Sequence, residues 1–349
     1  MRRREASPLF PLPASGERES RLTRIERRTF IAGLGAVALP LVARAQQSSM
    51  PVIGFLYVTS LAPMAHVVAG FRRGLSEAGA VEGRNVTIEF LSAEGHYDRL
   101  AALASEMVRR RVAVIVTGGG EPSAQAARAA TSTIPIVFSI GNDPVRAGLV
   151  ASLNRPGGNL TGVNIFSTEL DGKRLGLLDM VVPPSAIIGD LVNPTYPPAA
   201  TNIKEVEEAA RLIRRKILVV QASTGDEIDA AFAAMSKAQV GGVHVGADPF
   251  FGSQRDRIVA LAERYRVPAT YQQREFAQAG GLMSYGVDIA DGYRQLGIYA
   301  GRILKGERPA ELPVVQVSKF ELVINQKTAK ALGINLPSGL ISIADEVIE

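Results

Sequence analysis

The chain has 349 residues, 46% of them hydrophobic, enough apolar material for two cores of ordinary size. Its formal charge of +5 belongs to one end: residues 1–45 hold nine arginines and four acids, and beyond them thirty Lys+Arg balance thirty Asp+Glu. A neutral body without a basic, aromatic-interleaved patch excludes nucleic-acid binding, and the lack of cysteine excludes disulfides, thiolate metal sites and Cys nucleophiles.

The first feature in chain order is Arg27-Arg28, followed by an apolar run over residues 30–42 and then Ala43-Arg44-Ala45. Thirteen apolar positions are too few to span a bilayer, which takes about 20 residues. A charged start, a short apolar stretch and a small-x-small end describe an export signal over residues 1–45 that is removed. The arginine pair fits a twin-arginine signal, with ordinary secretion as the alternative. Residues 1–20 are either an extended leader or an upstream start. No cysteine is available for a lipid anchor, so the mature protein is expected to be soluble in a periplasm and monomeric.

From residue 51 onward, short runs rich in Val and Ile alternate with segments of helical period. Strands are expected over residues 52–58, 86–91, 112–117, 135–140, 186–192, 217–221, 242–245, 268–271 and 282–285. Helices are expected over 97–110, 201–214 and 226–238. Unbroken apolar strands joined by helices indicate parallel sheets covered on both faces, an α/β architecture. Two stretches echo each other: each runs strand, polar loop, helix, then Ile134-Pro135 or Val267-Pro268 opening another strand. The expectation is two Rossmann-like, doubly wound lobes joined by a three-segment hinge. Residues 51–162 and 284–313 would form lobe 1, 163–283 and 314–340 lobe 2, and 341–349 a C-terminal tail. Passages between lobes are expected within 154–166, 279–288 and 312–325.

Open α/β sheets bind ligands beyond the carboxyl ends of their strands. Those ends carry Tyr57, Thr59 and Ser60; Thr117, Gly118 and Gly119, leading to Ser123; and Ser139, Asn142 and Asp143. In the second half they carry Asn193 and Tyr196, Ser223, Asp248 and Phe250, Tyr271, and Tyr285. These seventeen are the candidate ligand-binding residues; Gln272 and Gln273 follow Tyr271 at the same strand end. Glycines 118–120 either make the strand-to-helix turn or let backbone N–H groups approach an anion. Asp143-Pro144 and Asp248-Pro249 fit helix N-caps with Pro at the first helical position, although a carboxylate there can also meet a ligand ammonium. No Gly-Lys-Ser/Thr follows the glycines, no Gly-x-Ser-x-Gly occurs, and three scattered histidines supply no triad. No catalytic residue, metal or cofactor is expected. His66, on a helix, reads as a solvated charge.

Three stretches carry a family resemblance: "FSIGNDPVRAGLVASLNRPGGNLTGVNIF" (138–166), "GGLMSYGVDIADGYRQLGIYAGRILKGERPAELPVVQVSKFELVINQKTAKALGINLP" (280–337), and the closing "ADEVIE". With them the mature chain resembles ABC transporter substrate-binding proteins of the tryptophan/tyrosine type. The resemblance implies a type I periplasmic-binding-protein fold and a small solute clamped between the lobes. It also implies delivery to a membrane permease served by a separate ATPase. An amino acid or related small carboxylate would be the ligand, with Asp143 holding an ammonium and the 118–123 helix start a carboxylate. An exported sensor presenting its closed form to a receptor, or a secreted hydrolase using the cleft, are the alternatives.

Overall fold

The computed structural model describes residues 50–167 and 170–349; the expected leader over 1–45 lies outside them. Thirteen strands run β1 (Val52–Tyr57), β2 (Thr87–Ser92), β3 (Val114–Gly118), β4 (Ile136–Ile140), β5 (Leu160–Asn164), β6 (Ile187–Val192), β7 (Ile217–Gln221), β8 (Val240–Val245), β9 (Ala269–Tyr271), β10 (Met283–Val287), β11 (Val315–Gln316), β12 (Phe320–Asn325) and β13 (Glu346–Ile348). They make two sheets. The first, in the order β11-β5-β4-β3-β1-β2, is parallel throughout. The second, β13-β12-β10-β9-β8-β6-β7, is parallel except where β12 runs against β10. Every strand expected from the apolar runs is present, within a few residues at its ends.

The helices are α1 (Ala65–Glu77), α2 (Leu100–Arg109), α3 (Glu121–Ala130), α4 (Asp171–Asp179), α5 (Ala199–Leu212), α6 (Gly225–Lys237), α7 (Pro249–Ser253), α8 (Arg255–Arg264), α9 (Arg274–Gln278), α10 (Ile289–Leu304), α11 (Gln326–Leu332) and α12 (Ser338–Ser342). None is long and apolar enough to cross a membrane. Separate cores fill the two sides of the first sheet. One joins Phe55, Val116 and Val137 to Val67, Phe71 and Leu75 of α1 and Tyr293 and Leu296 of α10. The other joins Leu56, Ile115 and Phe138 to Leu100, Ala104 and Met107 of α2 and Ala124 of α3. Burial on both faces explains why these strands read as unbroken apolar runs.

The α1–α10 crossing is unusually close. A Cβ added at Gly70 would run into the Ala290 carbonyl, one at Gly74 into the Arg294 carbonyl, and one at Gly297 into the Phe71 carbonyl. Small residues at successive turns let the two backbones touch.

The chain passes from the first sheet to the second between β5 and α4. It returns between β10 and α10, which packs on α1, and crosses again between β11 and β12. The lobe limits differ from those expected. β10 is hydrogen-bonded between β9 and β12, so residues 283–287 sit in the second sheet and the returning segment starts at α10, not at 284. β5 reaches Asn164, past 162, and β11 keeps 315–316 in the first sheet. Residues 346–348 are an edge strand on β12, not a tail.

Candidate functional site

Each sheet reverses its winding once, at β1/β3 in the first and β6/β8 in the second. A crevice opens beyond the carboxyl ends of strands at such a point. The two crevices face each other. They enclose a cavity of about 600 Å³ including its mouth, walled by Tyr57, Met64, Gly119, Gly120, Ser139, Ile165, Ile289 and Tyr293 from the first lobe. Arg174, Tyr196, Ala247, Pro249, Gln272, Gln273 and Val287 come from the second, and Ser167 from the passage between β5 and α4. This is a mostly apolar and aromatic enclosure with a few polar groups, the usual make-up of a small-molecule site.

The first-lobe wall is set by backbone geometry. Gly119 and Gly120 have φ of +81° and +90°, a left-handed pair that glycine adopts without strain and that turns β3 into α3 beside the cavity. The Gly119 N–H donates to the Tyr293 hydroxyl at 3.1 Å, locking that ring against the loop. Ser123 donates to the carbonyls of Gly118 and Gly120, both at 2.9 Å.

The second-lobe wall carries a guanidinium that is fully buried. Arg174 Nε donates to the Tyr285 carbonyl (2.8 Å) and Nη1 to the Ser167 carbonyl (2.7 Å) and to Asp171. Nη2 has no partner. Asp171 in turn lies 3.2 Å from His244 Nε2, and His244 Nδ1 is 2.8 Å from Asp190, so four buried charged groups form one chain. Burial works against a charged imidazole at His244, but its bonds to Asp171 and Asp190 outweigh this and push it up to about 9. Burial raises the Asp190 carboxyl, with His244 pulling against it. The chain fixes Arg174 from behind and leaves one N–H face for a guest. Gln273, 7% exposed, lines the same cavity with its Oε1 unpaired, while Gln272 donates to the Asp248 carbonyl at 3.2 Å.

Of the seventeen candidates, Tyr57, Gly119, Ser139 and Tyr196 line this cavity. Thr59, Ser60, Ser223 and Phe250 line a wider groove along its mouth, with Tyr97 and Gln254. Asn193 and Asp248 border a small inner cavity behind Tyr196, together with Asp171, Asp190 and His244. Asp248 caps the Phe250 N–H, accepts from Tyr97 (3.3 Å) and Asn193 (3.2 Å), and is pushed by burial up to about 7. Asn142 and Asp143 lie in a separate groove with Glu121 and Arg146. Asp143 accepts from the Val145 N–H at 2.8 Å within a turn and no described helix follows it directly, so its carboxylate serves that turn, apart from the inter-lobe cavity, and is not the expected helix N-cap. Thr117 and Gly118 are interior to the first lobe, Tyr271 stacks on Phe276 at 4.6 Å within the second, and Tyr285 contributes its carbonyl to Arg174.

The residues missed from the sequence are Arg174 and Tyr293, while Gln273 is placed at the strand end after Tyr271 but not singled out. Asp171 and Arg174 share the buried face of α4 with Leu175 and Leu178. A charge pair at i, i+3 on an otherwise apolar helix face was the available signal. His66, expected to be solvated, bridges the lobes: it is partly buried and 3.4 Å from Glu275 of α9.

Comparison with known proteins supplies context for this geometry. Residues 52–348 match the family described as ABC transporter substrate binding protein. A tyrosine-binding protein of Clostridioides difficile (strain R20291) is 28% identical over 267 residues, 75% of each chain. The ABC domain of a Streptococcus pneumonia protein, solved in complex with L-Trp, superposes with a TM-score of 0.75 at 27% identity, covering 86% of this chain and all of that one. The ligand-free, open structure of a substrate-binding protein with adhesive properties from Clostridium difficile gives 0.59 at 25% identity, over 86% of this chain and 99% of that one.

Proposed function

Since the chain belongs to the ABC transporter substrate-binding protein family, we propose that it closes its two lobes over a small carboxylate-bearing solute, an amino acid or related acid. It works outside the cytoplasmic membrane, delivering that solute to a permease driven by a separate ATPase. The observation that carries the ligand class is the buried Arg174 with Nη2 unpaired at the wall of the inter-lobe cavity. A buried donor without a partner costs about 1–3 kcal/mol, more when charged, and a carboxylate removes that cost with a charge-assisted bond. Relatives that bind tyrosine and L-Trp support an aromatic amino acid as the first choice.

The chain's similarities support a closed conformation. At similar identity it lies nearer the L-Trp complex than the open, ligand-free relative. Contacts also bridge the lobes: Tyr97 to Asp248, His66 to Glu275, and the Tyr97 ring 6.0 Å from that of Tyr196. The role needs only binding and closure, a population shift driven by a solute that touches both lobes.

Calorimetry of the protein with amino acids and other small carboxylates tests this. At least one is expected to bind, with scattering showing a smaller radius of gyration at saturation. Arg174→Gln and the charge-keeping Arg174→Lys should both weaken binding while the circular dichroism spectrum persists. A saturating solute that leaves the radius unchanged, or a tight ligand indifferent to both variants, would sink the proposal.

A further inference from the structure

Among the described residues, two buried polar atoms in the inter-lobe cavity lack partners, and they are complementary: a donor, Arg174 Nη2, and an acceptor, Gln273 Oε1. Both stand on the second lobe. Arg174 is in the first turn of α4, and Gln273 is the residue before α9. The first lobe offers a different surface, dominated by Tyr57, Met64, Ile165, Ile289 and Tyr293. The hydroxyls of its two tyrosines are engaged with each other, and that of Tyr293 also with the Gly119 N–H.

Resting on the carboxylate reading above, we propose that Gln273 is a specificity-determining residue which reads a second group on the ligand: a hydrogen-bond donor on the carbon next to the carboxylate. The solute class is then an α-amino or α-hydroxy acid with an apolar or aromatic body. Its polar head is held by the second lobe and its body is covered by the first.

The physical basis is the cost of leaving a polar atom unmade in a closed, dry cavity. An acid with no donor at that carbon satisfies Arg174 and leaves Gln273 Oε1 buried and bare. An acid with a hydroxyl or ammonium there satisfies both. Gln272, beside it, is spent on the Asp248 carbonyl and anchors α7, so the two neighbouring amides have separate duties. Gln273 Oε1 stands beside Gly252 of α7, 3.3 Å from where a Cβ would be, so glycine there leaves the amide its space.

The test crosses ligand against protein. Binding of L-phenylalanine, L-phenyllactate and 3-phenylpropionate, and of the corresponding 4-hydroxyphenyl compounds, is measured by calorimetry on the wild type, Gln273→Leu and Gln273→Met. On the wild type, the compounds with an α-donor should bind at least about tenfold tighter than the propionates, one buried hydrogen bond's worth. In both variants that preference should fall to about twofold or less, with affinity for the propionates kept or improved. A wild type without preference, or a preference that persists in both variants, overturns the role of Gln273 and leaves the carboxylate reading standing. If none of the six acids binds and Arg174→Lys changes nothing, the carboxylate reading itself falls, and this inference with it.

Discussion

Arg174 illustrates how a buried charge can be both stable and available. Its guanidinium is countered by Asp171, whose charge is shared with His244, whose other nitrogen meets Asp190. Removing any one member leaves an uncompensated charge in the second lobe. The pH dependence follows from His244. Its folded-state pKa of about 9 lies above the 6.5 of an ordinary imidazole, so its contribution is fully present below about 6.5 and lost as the pH rises through 9. A shift of that size corresponds to about 3 kcal/mol. Denaturant melts between pH 6 and 9.5 should show stability falling across this window, and His244→Gln, less stable throughout, should show a flatter profile. Equal slopes in the two proteins would remove His244 from the account. At this scale the sequence was a partial guide. Strand-end positions such as Tyr57 and Tyr196 could be found because the fold dictates where such ends converge. Asp143 misled because an aspartate serving its own turn and a ligand-binding one look alike in sequence, and the choice depends on which way the turn faces. Arg174 left the trace of a charge pair on an apolar helix face and Gln273 that of a strand-end position, but which of their atoms stay without partners only packing reveals.

Among the elements, the α1–α10 pair ties the first lobe together across the chain, with Gly70, Gly74 and Gly297 at the crossing. Helix propensity alone would make Gly74→Ala stabilising by about 1 kcal/mol. The contact with the Arg294 carbonyl predicts the opposite, a loss of about 1–3 kcal/mol or more from overpacking. Thermal melts decide the sign, and a raised Tm would show that the helices separate freely. The parallel strands were legible because burial on both faces leaves continuous Val/Ile runs. β11 and β13 were not: with two and three residues and only partial burial, they carry too little pattern to separate from loop. β10 was placed in the wrong lobe because "GGLMSYGVD" reads equally as a strand and as a crossing, and only its pairing with both β9 and β12 decides.

For the molecule as a whole, the balance between open and closed forms rests on few inter-lobe contacts. The Tyr97 hydroxyl on Asp248 and the His66–Glu275 pair bridge the lobes without contacting Arg174. Tyr97→Phe removes one of them and keeps the ring against Tyr196. Its expected effect is a larger radius of gyration in the unliganded protein and affinity weakened about three- to tenfold, one bond's worth, with the melting temperature of the ligand-free form nearly unchanged. A variant that binds as tightly as the wild type would mean that closure depends on the guest alone.

The three crossings also bear on how the molecule is made. Helix α10, which completes the first core, is encoded after nearly all of the second sheet, and β12 and β13 come from the last thirty residues. Neither half can therefore reach its final packing while the chain is still emerging from the ribosome. Assembly of both halves waits for residues beyond 280, and a nascent chain cut short there, lacking α10, β10, β12 and β13, should remain protease-sensitive in both.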